Sequence, residues 1–267
     1  MFQLIDVGKN YATRAGERVA VAGANVTIEP NEFVSIVGPS GCGKSTLLMI
    51  MAGLLDASSG QVLFDGEPVN GPPAGLSVVF QDYSRSLFPW MTVGKNIGAA
   101  LVRSRLSKSD RHDRIEHALT SVGLDGAAHL HPSQLSGGMQ QRVAIARALA
   151  TNPRVMLMDE PLAAVDAQTR ADLEDLVLRV RHEYNVTVVL VTHDIDEAVY
   201  VADRVVVMAA NPGRIIADVP VELPRPRDQV DTKRHPQFVD LRAQVFELVM
   251  RRREATTERL LTAGEAR

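Results

Sequence analysis

Nine residues, Gly38-Pro39-Ser40-Gly41-Cys42-Gly43-Lys44-Ser45-Thr46, stand between an apolar run, Phe33 to Val37, and a helical-looking run, Leu47 to Leu55. The spacing G-x-x-x-x-G-K-[ST], with a strand before it and a helix after it, is that of a phosphate loop. Its glycines turn backbone N–H groups inward, Lys44 sits at the helix start, and the positive end of the helix faces the anion. Lys44 is expected to pair with the β- and γ-phosphates, and Ser45 to ligate Mg²⁺. The loop names a nucleotide but not a task.

Further reactive side chains stand at the ends of strand-like runs. Val155 to Met158 is a buried-type strand ending in Asp159-Glu160-Pro161, where an acid has little structural use but can serve a metal-bound nucleotide. We assign Asp159 to Mg²⁺ through its water shell, and Glu160 to accepting a proton from, or orienting, the attacking water. Gln81 follows Leu76 to Phe80. It can reach both Mg²⁺ and that water, although taken alone it reads as a polar residue leaving a sheet. His193 follows Thr187 to Thr192. With Gln81, Asp159 and Glu160 it converges on one sheet edge, the crevice where open α/β folds bind ligands. Ser136-Gly137-Gly138 opens an alanine- and leucine-rich helix with Ser136 as its cap, a second helix end where phosphate can bind. Tyr11 can stack on a purine ring, but by itself it reads as a half-buried strand-end residue.

These groups need a scaffold, and 267 residues suffice for one large α/β domain with an inserted or appended subdomain. A net charge of -3 argues against a nucleic-acid surface. The single cysteine, Cys42, forms no internal disulfide and suits a reducing compartment, so the chain reads as cytoplasmic. Alkylation of Cys42 is expected to block nucleotide binding. Met1 to Asn10 lacks the layout of a signal peptide, and no apolar run reaches the roughly 18 residues of a spanning helix, so membrane work would need a second chain.

Strands are expected at Phe2 to Val7, Val19 to Ile28, Gln61 to Phe64 and Arg204 to Met208. Helical patterns run over Asn96 to Arg105, Asp110 to Val122 and Ala167 to Tyr184, the first two within a candidate helical subdomain of residues 82–150. Phe88-Pro89-Trp90 is either a docking surface or local packing. Pro236 opens a tail helix whose Phe238, Leu241, Val245, Leu248 and Val249 form a stripe expected to pack on the main domain.

From about Phe2 to about Val221 the chain resembles the ATP-binding subunit of an ABC transporter. Gly38 to Thr46 matches that family's Walker A, Gln81 its Q-loop, Leu135 to Arg142 its signature motif, Val155 to Glu160 its Walker B and His193 its switch histidine, in family order. The resemblance implies a P-loop NTPase (RecA-like) core with an N-terminal antiparallel β subdomain and an inserted α-helical subdomain. It implies a nucleotide-binding domain over residues 1–224 and a helical tail over 225–267. By the same resemblance Tyr11 stacks on adenine, and Asp166 is retained at the nucleotide. Two subunits would form a head-to-tail dimer, each ATP lying between Lys44 of one and Ser136 to Gly138 of the other. Partners would be an integral membrane permease and, indirectly, a solute-binding protein, with this subunit peripheral at the cytoplasmic face of the membrane.

Leu87-Phe88-Pro89-Trp90, Asp194 to Ala198 and Asn211 to Ile215 look like the ATPases of nitrate, sulfonate and taurine-type importers. Pro161-Leu162-Ala163-Ala164-Val165-Asp166 departs from the usual family pattern, which bears on cross-dimer contacts more than on hydrolysis. Two rival readings are a soluble ABC-type ATPase and a P-loop small-molecule kinase. The first would usually show paired cassettes, coiled-coil insertions or a basic arm, and the second has no use for Leu135 to Arg142.

Overall fold

The computed structural model describes residues 1–13, 16–81, 86–163 and 165–264, those from 251 onward as backbone alone. The chain divides into two compact units, Met1–Pro73 with Val189–Arg267, and Ala74–Val188.

The first unit begins with β1 (Phe2–Thr13) and β2 (Gly16–Ile28), paired antiparallel from Phe2↔Ile28 to Thr13↔Gly16. Alternation turns Ala24, Val26 and Ile28 into the core, and a shift in register lets Val21 join them. β1 runs six residues beyond the expected Val7, so Tyr11 lies within a strand rather than after one. β3 (Phe33–Val37) is buried at every position, Ser35 among its four apolar residues included. Burying each such large side chain contributes about 1.5–3 kcal/mol. α1 (Lys44–Met51) starts at Lys44, three residues before the expected Leu47, and ends before Gly53, whose φ of 65° leaves the right-handed helix. β4 (Ser59–Phe64) and β5 (Glu67–Pro68) complete an antiparallel sheet of order β2-β1-β4-β5. Phe2 and Phe64 stack within it at 4.8 Å.

In the second unit β6 (Leu76–Val79) lies parallel to β7 (Val155–Asp159), in register from Leu76↔Val155 to Val79↔Met158. Between them come α2 (Val93–Ala100), α3 (Lys108–Ser121) and α4 (Gly137–Leu149). α2 begins earlier than the expected Asn96 because the Thr92 hydroxyl accepts from Lys95 N–H and caps it there. α3 is opened by a reciprocal capping box between Ser107 and Asp110. α5 (Ala167–Tyr184) ends at Asn185, which takes a left-handed φ of 48°.

β8 (Thr187–Thr192) carries the chain back into the first unit. There follow α6 (Ile195–Val201), β9 (Arg204–Ala209), β10 (Arg214–Pro220), the single turn α7 (Asp231–Arg234) and α8 (Pro236–Gly264). In this unit the strands run in the order β10-β9-β3-β8, with β3 parallel to β9 and β10 antiparallel to it. Phe238, Leu241 and Val245 of α8 are buried as expected, whereas Leu248 and Val249 are only half-buried. Val239 and Phe246 are half-exposed. Among the described residues no helix is long and apolar enough to cross a membrane. The architecture is the α/β P-loop NTPase fold with an N-terminal antiparallel sheet and a helical segment, α2 to α4, entered from the core.

Candidate active site

In the first unit the phosphate loop is shaped by close approach. A side chain at Gly38 would meet Met208 O at 2.4 Å, and one at Gly43 would meet Ala20 O at 2.8 Å. Gly41 and Gly43 have φ of 77° and 100°, which L side chains rarely adopt. α1 begins at Lys44 without any side-chain oxygen capping it. Lys44 is 4% exposed, and its Nζ donates to Gly38 O at 2.8 Å with Pro39 O at 3.4 Å. Ser40, Gly41 and Ser45 are exposed, while Pro39, Gly43 and Thr46 are half-buried. A helix start without a side-chain acceptor, a buried ammonium and an exposed hydroxyl fit a phosphate group and its Mg²⁺.

Cys42 is 1% exposed. The expected alkylation therefore has to wait for the loop to open. Tyr11 is 39% exposed, with Lys9 Nζ over its ring at 5.5 Å from the centroid. His193 is exposed at the end of β8 and lines, with Gly38, Pro39 and Ser40, a cleft of about 1170 Å³ that extends to Arg242 and Phe246 of α8.

In the second unit Gln81 and Glu160 leave neighbouring parallel strands at the same end, and Gln81 Nε2 approaches Glu160 Oε2 at 3.5 Å. Asp159 is 7% exposed at the end of β7. Glu160 has a φ of 42°, a left-handed backbone that costs a residue other than glycine about 1–3 kcal/mol and is typical of functional turns.

Ser136 caps α4 by accepting from Met139 N–H at 3.3 Å. Asp166 caps α5, accepting from Thr169 N–H at 3.0 Å and from the Thr169 hydroxyl at 2.7 Å. Those bonds, the backbone one first, hold the Asp166 carboxyl below the usual carboxylate range. The capping they provide is present above that range and is lost as pH falls through the lowered pKa.

Thr169, which the sequence did not single out, joins these two motifs, because a Cβ on Gly138 would lie 2.4 Å from its Cγ2. Gly138→Ala is therefore expected to destabilise the protein by about 1–3 kcal/mol through overpacking. Thr169→Ser, which removes the methyl and keeps the hydroxyl, should restore much of that loss. Urea unfolding of the single and double variants checks both, and an equally destabilised double variant would contradict the contact.

Asn96 is a second residue missed in the sequence. It is fully buried, its Oδ1 accepts from Phe88 N–H at 2.7 Å, and its Nδ2 donates to the carbonyls of Phe88, Met91 and Thr92 at 3.1 to 3.2 Å. These bonds fix the turn that leaves Trp90 71% exposed, its ring 5.5 Å from that of Phe88. An asparagine in an otherwise apolar helix face was the only available signal. The adjoining Asp82 and residues 83–85 lie outside the described residues.

The family model described as ABC transporter matches residues 21–163. The nitrate import ATP-binding protein NrtD of Synechococcus elongatus is 43% identical over 250 residues, covering 92% of this chain and 90% of its own. The bicarbonate transport ATP-binding protein CmpC of the same organism is 44% identical over 245 residues, 90% of this chain but 37% of that longer protein. Among solved structures, the dimeric post-hydrolysis state of the ATP-binding cassette MJ0796 bound to ADP and Pi superposes with a TM-score of 0.74 at 35% identity, covering 83% of this chain and 99% of that one. The chain belongs to the ABC transporter family, as a P-loop ATPase cassette that binds and hydrolyses ATP with Mg²⁺.

Proposed function

We propose that the chain is the ATP-hydrolysing subunit of a membrane importer for a small anion such as nitrate, a sulfonate or taurine, peripheral at the cytoplasmic face of the membrane. The observation that carries this reading is the near full-length similarity to a nitrate import ATP-binding protein. The bicarbonate relative supports the wider class of anions. Residues 1–224 form the nucleotide-binding domain, with a helical subdomain at 82–150, and residues 225–267 form the tail.

In this reading Gly38 to Thr46 cradle the phosphates by backbone N–H groups, and Tyr11 stacks on the adenine ring. Lys44 neutralises the β- and γ-phosphates. Ser45, Gln81 and Asp159 would hold Mg²⁺, which supplies charge neutralisation at the phosphates when bound. Glu160 orients the attacking water and accepts its proton, and His193 supports the γ-phosphate. Ser136, Gly137, Gly138 and Asp166 serve the ATP held by a second cassette, identical or paired, so that ATP closes the dimer and hydrolysis reopens it. Positioning and charge stabilisation carry most of the rate, because phosphoryl transfer needs little covalent help.

Closure is passed to a permease near Gln81 and the Phe88-Trp90 turn, and a solute-binding protein delivers the anion to that permease. Trp90→Ala is expected to leave basal ATPase within about twofold and to abolish most of the stimulation by the permease, since exposed tryptophans are typical interface anchors. Phosphate release with the permease and solute-binding protein in vesicles, with nitrate, taurine, an alkylsulfonate or bicarbonate supplied in turn, tests the whole reading. Stimulation by one anion is the expected result, and stimulation by none of them would contradict an anion importer.

A further inference from the structure

We propose that Thr192 and Glu197 are positioning residues for His193, forming a buried latch that fixes the turn from which the histidine projects. The inference rests on the reading of His193 as a γ-phosphate group. Thr192 and Glu197 are 2% and 4% exposed, although they flank an exposed histidine. The Thr192 hydroxyl donates to Glu197 Oε2 at 2.6 Å and accepts from Asp194 N–H at 3.0 Å. Asp194 Oδ1 in turn accepts from Glu197 N–H at 3.1 Å and caps α6.

A hydroxyl has one proton, so the bond it donates to Glu197 dictates which lone pair receives Asp194 N–H. The residue before His193 is thereby tied to the buried Glu197 carboxyl directly, and the residue after it through the Thr192 hydroxyl. At 2.6 Å the bond between the buried Thr192 hydroxyl and Glu197 carboxyl is short, and solvent does not compete for it. A cap for α6 requires only Asp194 and Glu197 N–H; the additional buried hydroxyl-to-carboxylate bond acts on the backbone of the histidine turn.

Thr192→Val is nearly isosteric and removes the hydroxyl. It is expected to lower kcat by about 10- to 100-fold, the scale of a misplacement of about 1 Å, while the Kd for ATP stays within about twofold. Thr192→Ser retains the hydroxyl and should keep kcat near wild type, as should Glu197→Gln, whose amide oxygen can still accept the bond. Thr187→Val, at the opposite end of β8, serves as a control for losing a buried threonine hydroxyl. It should keep kcat even if its melting temperature falls as far as that of Thr192→Val.

His193→Ala is measured beside them. Wild-type turnover in His193→Ala would overturn the reading of the histidine, and the latch with it. An inactive His193→Ala beside a fully active Thr192→Val would overturn the latch alone. Equal kcat losses in Thr192→Val and Thr187→Val would also overturn the latch, because they would mark a general effect of packing.

Discussion

Glu160→Gln is expected to cut ATP turnover by about 10²- to 10⁴-fold while ATP still binds, the range that a positioned general base contributes. The glutamine keeps the size of the side chain and can still meet Gln81, which approaches Glu160 at 3.5 Å in the native protein. It loses the ability to take a proton from water. Because hydrolysis is what reopens the proposed dimer, this variant should also accumulate as an ATP-bound dimer. Phosphate release combined with size-exclusion chromatography in the presence of MgATP reads both effects. The left-handed backbone of Glu160 sharpens the expectation, since a strained residue is retained where its side chain must point one way. Wild-type turnover in Glu160→Gln would remove the residue from the chemistry.

Lys44→Ala should act on the other half of the cycle, weakening ATP by about 10- to 100-fold, as expected for the loss of a charge-assisted hydrogen bond worth about 1.5–3 kcal/mol. The native ammonium is buried and held by Gly38 O at 2.8 Å, so the lysine is already drawn into the loop and has little ordering left to undergo when phosphate arrives. Titration calorimetry with the slowly hydrolysed ATP of the Glu160→Gln background isolates binding from turnover. An unchanged Kd would separate Lys44 from the phosphates. The two substitutions thus divide the cycle, one stopping after binding and the other before it.

How much of this was legible in the sequence depends on the distance over which each feature is determined. The phosphate loop, the strand ending at Asp159 and the cap at Ser136 are local patterns, and they stand in the structure where the residues put them. The runs Phe33 to Val37 and Thr187 to Thr192, apolar apart from Ser35, Thr187 and Thr192, declared themselves as buried strands by their shortness and their β-branched content. β10 and the short α6 were missed, since β10 is mostly half-exposed without clean alternation and α6 spans only seven residues. The start of α2 was misplaced because apolar periodicity was weighed above the capping hydroxyl of Thr92.

Features that depend on distant contacts were not legible. Thr169 matters because its methyl meets Gly138 while its hydroxyl meets Asp166, a coincidence of two helices. Asn96 matters because four hydrogen-bonding partners surround it, and Cys42 is inaccessible because the loop folds over it. Tyr11 lies within β1 because the hairpin continues to Thr13↔Gly16, a property of pairing between strands that neither segment specifies alone.

The most direct test of the central claim is ATP hydrolysis by the purified chain, alone and with the membrane protein that co-purifies from detergent extracts, comparing wild type with Glu160→Gln. A rate that the membrane partner raises and that Glu160→Gln abolishes in both settings is the result predicted for an importer ATPase. Robust Glu160-dependent hydrolysis with no membrane partner and no stimulation would contradict it and would point to an ABC-type ATPase uncoupled from transport.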